Sequence, residues 1–190
     1  MTLDHVAFHR THDELDPGLA HVRRAPRDVG VLEMVVVRPR TDARTVVDEA
    51  VLDPEFGVVG DTWIERGSSR TADGGPNPDA QVTVMSSRAI ALVAGSRDRW
   101  PLAGDQLYVD LDLGVDNLPP GSVLEIGSAR LEVTAAPHTG CAKFSERFGV
   151  EALRLTATPE GRSLRLRGLN ARVLLGGEVR TGDSVLVVRP

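Results

Sequence analysis

Ser122-Val123-Leu124-Glu125-Ile126-Gly127-Ser128-Ala129-Arg130-Leu131-Glu132-Val133-Thr134-Ala135 reads as a β-hairpin. Gly127-Ser128 is a two-residue loop with glycine first, an arrangement that joins antiparallel strands tightly. Residues 122–126 and 129–135 are its strands. The second runs directly into Pro137-His138-Thr139-Gly140-Cys141-Ala142-Lys143-Phe144-Ser145-Glu146-Arg147-Phe148-Gly149. The hairpin therefore sets Cys141 on a loop at the rim of a sheet, where a rigid scaffold can present it.

The same character continues to either side. Val31-Leu32-Glu33-Met34-Val35-Val36-Val37-Arg38 is a β-branched run closed by Pro39. Further strands are expected over residues 45–53, 81–85, 107–113 and 171–175, and a last hairpin about Gly182-Asp183 leads into 184–189. In 107–113 the leucines and Val109 share one face, and Asp110 and Asp112 the other. Ser86-Ser87 heads a short helix over 88–94, stopped by Gly95. Short strands, frequent turn signals and brief helices predict a mainly β chain, a barrel or sandwich with small helical inserts. Residues 1–28 are polar and read as an arm with a short helix over 15–24 ended by Pro26, ahead of one domain over 29–190. The arm holds His5, His9, His12 and His21, four of the five histidines. Two pairs have helical spacing, but without a hydrophobic face the stretch reads as a surface arm rather than a metal site.

A length of 190 residues suits one domain with a real core, with or without a small appendage. A formal net charge of −5 argues against a nucleic-acid footprint and leaves room for a local basic pocket for a small anion. One cysteine cannot form an intrachain disulfide. No apolar run reaches membrane-spanning length, and Met1-Thr2-Leu3-Asp4-His5 does not open a secretory leader, so the cytoplasm is the expected compartment. P-loop, G-x-G-x-x-G, zinc-type Cys/His spacing and G-x-S-x-G are all missing.

Chemistry concentrates around Cys141. Lys143 is the only lysine among 22 Lys+Arg, two positions after the only cysteine, and His138 stands three before it. A free thiol, with pKa near 8.5, is mostly protonated at neutral pH, and an adjacent cation or a helix N-terminus favours the thiolate nucleophile. Residues 142–148 form two helical turns with Phe144 and Phe148 as the buried face and Gly149 as the stop, which puts Cys141 near the N-cap. His138 then serves as proton partner or merely holds the loop. A second reading stands beside this one: Cys141, at i−3 of Phe144, packs as a small apolar side chain. The glycine- and proline-rich stretch 57–78 supplies a further candidate, since Arg66 and Arg70 flank serines and glycines whose amides can bind an anion. The bland alternative is a solvated loop. Asp110 and Asp112 invite a metal or acid–base role, but the wet side of a half-buried strand is the better reading.

An ordered series of motifs carries a resemblance. Gly60-Asp61 follows a strand, and Gly74-Gly75-Pro76-Asn77 leads into Gln81-Val82-Thr83-Val84-Met85. Gly104-Asp105, Asn117-Leu118, Pro120-Gly121 and Ile126-Gly127 come next, then the cysteine, then Ala171-Arg172-Val173, Gly176-Gly177 and Gly182-Asp183. Over residues 29–190 the chain resembles the MOSC domain, named after the C-terminal part of molybdenum cofactor sulfurases. The resemblance implies a closed β-barrel. It also implies that Cys141 carries sulfur as a persulfide or ligates molybdenum in the pterin cofactor (molybdopterin), with His138 and Lys143 beside it. Arg66, Arg70, Gly74, Gly75 and Asn170 are this chain's candidates for holding the cofactor's anionic part. In fused relatives a separate pyridoxal-phosphate desulfurase domain makes the sulfur; this chain lacks one, so a cysteine desulfurase or a molybdoenzyme is the implied partner. Standalone relatives are linked to reduction of N-hydroxylated compounds, which adds a molybdenum-dependent reductase to the implied roles. A non-catalytic cofactor- or anion-binding module is the alternative from another class. Three positions depart from the common pattern: Gly140 where proline often precedes the cysteine, Asp73 where histidine often precedes the paired glycines, and Gly104-Asp105-Gln106 where others have Gly-Glu-Asn.

Overall fold

The first strand, β1 (Val29–Val37), shows how the sequence builds two hydrophobic layers from one wall. Leu32 and Val35 face a buried cluster on one side of it, Met34 and Val36 a second cluster on the other. Strict alternation would put Leu32 and Met34 on the same face. A register shift between Leu32 and Met34 switches the phase and lets the strand serve both layers.

The computed structural model describes residues 8–190. The other strands are β2 (Thr45–Val47), β3 (Glu49–Asp53), β4 (Gly57–Val58), β5 (Val82–Ser86), β6 (Leu107–Asp110), β7 (Val123–Ile126), β8 (Ala129–Val133), β9 (Leu169–Leu175), β10 (Gly177–Arg180) and β11 (Ser184–Val188). The barrel runs β11-β7-β8-β9-β5-β6-β1, and pairing of β1 with β11 closes it. Closure leaves these seven strands no free edge, which is how small β proteins avoid edge-to-edge association. Every barrel pairing is antiparallel except β5 with β6. A parallel pair needs a crossover, here α3 (Ser87–Ala94) and a 3-10 stretch, Arg97–Ala103.

Leu107, Val109, Leu111 and Leu113 all join the lumen cluster, as their alternation requires, although the ladder stops at Asp110. The hairpin about Gly127-Ser128 forms with Ile126 opposite Ala129, Gly127 taking φ +54°. Its second strand ends at Val133, one residue before the Thr134 amide makes a last bond to β9, at the Asn170 carbonyl (3.0 Å).

Two strand expectations need correction. Residues 45–53 are two strands broken at Asp48: β2 extends the barrel sheet beside β1, while β3 joins β4 and β10 in a second sheet. Gly182-Asp183 does make a turn, with Asp183 N donating to Arg180 O at 2.9 Å. The strands it joins are not partners, however, since β10 pairs with β3 and β11 with β7 and β1. In both places the chain changes sheets, and local turn chemistry carries no record of which sheet comes next.

Near the N-terminus, α1 (His12–Leu15), a 3-10 turn (Asp16–Gly18) and α2 (Leu19–Val22) replace the continuous helix expected over 15–24. Leu15, Leu19 and Val22, at helical spacing, are buried in the outer cluster. His5 lies outside the described residues. Between β8 and β9 come α4 (Ala142–Phe148), α5 (Val150–Ala157) and α6 (Pro159–Ser163); the apolar faces of α4 and α5 complete that layer. Among the described residues no helix is long and apolar enough to cross a membrane.

Candidate functional site

Cys141 is the N-cap of α4, with extended backbone (φ −124°, ψ 175°). Its carbonyl accepts from Phe144 N at 3.0 Å and Ser145 N at 3.1 Å. Its side chain makes no cap bond, and the residue is exposed. Phe144 and Phe148 are the buried face of the helix, their ring centroids 4.9 Å apart. They bury the helix and leave its first residue outside, so the apolar packing role for Cys141 does not hold.

The cysteine opens on a cavity of about 360 Å³ between the β1–β2 connection and α4. Arg38, Arg40, Arg44, Arg66, Lys143 and Arg147 line it, and Asp42 is the one carboxylate among its lining residues. In a chain of net charge −5 this concentrates positive charge at one place. Part of it is spent internally. Asp61 accepts Arg38 Nε at 2.7 Å and Nη2 at 2.9 Å, so this arginine is fixed and neutralised. Asp42, with φ +59°, takes Lys143 Nζ at 2.7 Å and Arg147 Nη2 at 3.4 Å on one oxygen. Lys143 therefore shares its charge with a carboxylate, which also holds Asp42 below the usual carboxylate range through that hydrogen bond.

Among the described residues neither Arg44 nor Arg66 is in an ion pair, although Arg66 donates Nε and Nη2 to Thr62 Oγ1 at 3.2 and 2.8 Å. Burial, and next the neighbouring Arg147, push the Arg44 guanidinium below its usual range; for Arg66 burial comes first and Arg38 second. The Nε of Arg44 is buried with no hydrogen-bond partner among the described residues. A buried orphan donor among cations is relieved by an anion.

His138 belongs elsewhere. It lines a different cavity, and its Nδ1 is 3.5 Å from Asp105 Oδ1, with both atoms buried and lacking a hydrogen bond. Burial, then Arg167 and Arg38, hold its pKa well below the ordinary imidazole range. Arg70, Gly74 and Gly75 are not among the residues lining the cysteine cavity. Their loop is tied to itself: Arg70 N donates to Ser68 Oγ, Gly74 N to Thr71 O and Gly75 N to Asp73 Oδ1. Amides already committed in this way cannot cradle an anion. Asn170 is buried and donates Nδ2 to Ala136 O at 3.1 Å, which pins the segment leaving β8. Asp110 is paired to Arg88 at 2.6 Å, Asp112 caps Gly114 N at 2.8 Å, and no cluster of three metal-binding side chains occurs among the described residues.

Of the candidates, the structure thus brings Cys141, Lys143 and Arg66 together. Arg38, Arg40, Arg44 and Arg147 were not picked out from the sequence. A signal was present: three arginines within Arg38-Pro39-Arg40-Thr41-Asp42-Ala43-Arg44, and Arg147 one helical turn after Lys143.

Comparison with known proteins agrees with this architecture. The MOSC domain family matches residues 70–186. The structure of the YuaD protein from Bacillus subtilis superimposes with a TM-score of 0.64 at 20% identity, covering 84% of this chain and 95% of the other. YiiM from Geobacillus stearothermophilus gives 0.57 at 15% identity, over 84% and 75% of the two chains. YiiM from Escherichia coli gives 0.54 at 19%, over 84% and 70%. At such identities the likeness is one of fold. No curated protein sequence matches the chain.

Proposed function

The chain belongs to the MOSC domain family, and on that premise we propose that it handles the molybdenum cofactor or the sulfur destined for it, with Cys141 as the reactive thiol. The observation that carries this reading is an exposed cysteine on a cavity lined by six cationic side chains. The donor set suits a phosphate-bearing pterin: Arg44 offers an Nε unpartnered among the described residues, and Arg66 and Arg147 line the same cavity. Arg38 is locked by Asp61 and shapes the cavity without spending its charge on the ligand. When bound, the cofactor supplies a metal centre that accepts a thiolate or sulfide ligand.

What the chain's own residues do follows from their placement. The arginines bind and orient the anionic end. The N-cap position holds Cys141 still, because its carbonyl is anchored by two helix amides while its side chain stays free. Lys143, clamped to Asp42, lines the same cavity as the thiol. In the sulfur-carrying role, the Cys141 thiolate attacks the outer sulfur of a desulfurase cysteine persulfide. The S–S bond of the donor breaks, the donor leaves as thiolate, and Cys141 becomes the persulfide. The exchange is redox-neutral and needs no further reactant.

Incubation with a cysteine desulfurase, its pyridoxal phosphate and free cysteine is expected to add one sulfur atom to the wild type by intact mass. Cys141→Ser should take up none. Equal uptake by both proteins would overturn the carrier mechanism. Molybdenum co-purifying from a cofactor-producing host, and lost in Cys141→Ser, would favour the metal-ligand role instead.

A further inference from the structure

A second cavity, about 620 Å³, lies between the segment leaving β8 and the helices α5 and α6. It shares no lining residue with the cysteine cavity, although residues 137–140 line the one and Cys141 the other. Its volume is in the range of small-molecule sites. The walls are largely apolar, from Ala136, Pro137, Leu153 and Leu169 among others, and carry no carboxylate. Three arginines reach it. Arg167 is spent on Asp105 at 2.6 Å, which leaves Arg162 and Arg165 without an ion-pair partner among the described residues.

Arg165 is the more telling of the two. Its backbone is left-handed (φ +46°), a conformation that strains a non-glycine residue and concentrates at functional sites. Its Nη1 is held by the carbonyls of Leu118 at 2.7 Å and Leu113 at 3.2 Å, and burial pushes its pKa down. His138 adds a polar atom: with Nδ1 turned to Asp105, Nε2 is the ring nitrogen left for a ligand.

We infer that this cavity is a separate binding site for a compound with an apolar, ring-sized body and a single carboxylate. The body lies on the alanine, proline and leucine walls, the carboxylate meets Arg162 and Arg165, and His138 lines the cavity beside them. The inference does not rest on the role proposed for Cys141.

The test is calorimetric titration with 1-naphthoate, and with 1-naphthalenemethanol as its uncharged counterpart. Naphthoate should bind the wild type, and the alcohol at least about tenfold more weakly, the equivalent of one charge contact. Arg162→Glu reverses an exposed charge that lines the cavity and should weaken naphthoate by about tenfold or more. Ala157→Trp, which fills the cavity from an exposed helix position, should abolish binding. Arg66→Glu, in the cysteine cavity, should leave it unchanged. Unchanged melting temperatures confirm that the variants are folded. Absence of wild-type binding up to about 10 mM would overturn the inference, an affinity of less than about 3 kcal/mol. So would binding that Arg66→Glu abolishes while the other two variants leave it intact.

Discussion

His138 illustrates how far a residue's surroundings override its type. In solution an imidazole titrates near neutrality; here burial and the cations Arg167 and Arg38 keep it uncharged. The sign of the linkage follows. An unfolded chain takes up this proton as pH falls below about 6.5, and the folded chain does not, so stability is lost on acidification from that point. His138→Gln should flatten the loss, and the difference in unfolding free energy between the two proteins should change by up to about 1.4 kcal/mol for each pH unit below about 6.5. Denaturant titrations at pH 7, 6 and 5 would measure it, with Asp105 common to both proteins. At Arg44 the orphan Nε makes a second prediction. Inorganic phosphate should raise the wild-type melting temperature, with stabilisation of about 1.4 kcal/mol once phosphate reaches roughly ten times its Kd. Arg44→Gln should blunt that response, whereas equal chloride should not reproduce it.

At the scale of the element, α4 is short and depends on what it buries. Phe144 packs under the Arg167 guanidinium at 5.0 Å, and Phe148 under Arg99 at 5.6 Å. Arg99 also donates to the Arg147 carbonyl at 2.7 Å, which satisfies the C-terminal end of the helix. Gly149, at φ +93° and ψ 158°, ends it in a conformation reserved for glycine, and α5 starts at once. Phe148→Ala removes half of this buried face and should cost about 3–5 kcal/mol in denaturant unfolding. Because the same face places Cys141, sulfur uptake in that variant should fall more than its folded fraction alone predicts. A drop in stability with normal uptake per folded molecule would show that α4 does not position the thiol.

Across the whole molecule, the Asp105–Arg167 pair joins the barrel to the helical layer. Asp105 follows the crossover into β6, Arg167 precedes β9, and Arg167 Nη1 reaches Asp105 at 2.6 Å while Nη2 holds Ala103 O at 2.9 Å. Burial raises the Asp105 pKa against the opposing pull of Arg167, so the pair survives on mutual neutralisation. Arg167→Met should destabilise by about 3–5 kcal/mol, since it leaves a buried carboxylate unpaired. The double variant Asp105→Asn/Arg167→Met should recover more than half of that loss. Equal stability of single and double variants would mean that the arginine works through packing on Phe144 rather than through its charge.

Local pattern alone was enough for the inward alternation over 107–113, of which only 107–110 is strand, and for the Gly127-Ser128 hairpin, the helix behind Cys141 and its glycine stop, because each rests on contacts between near neighbours. The motif residues Gly60-Asp61 and Gly104-Asp105 were legible as a family series, but not what their carboxylates hold: Arg38 and Arg167 lie 23 and 62 positions away. Only the closed barrel brought the arginines of the β1–β2 connection to the start of α4, about a hundred residues later. It likewise turned His138 away from the thiol cavity and into the second one. Periodicity and turn chemistry act over a few residues, whereas a binding site is made where distant segments meet, and that meeting is set by which strands pair.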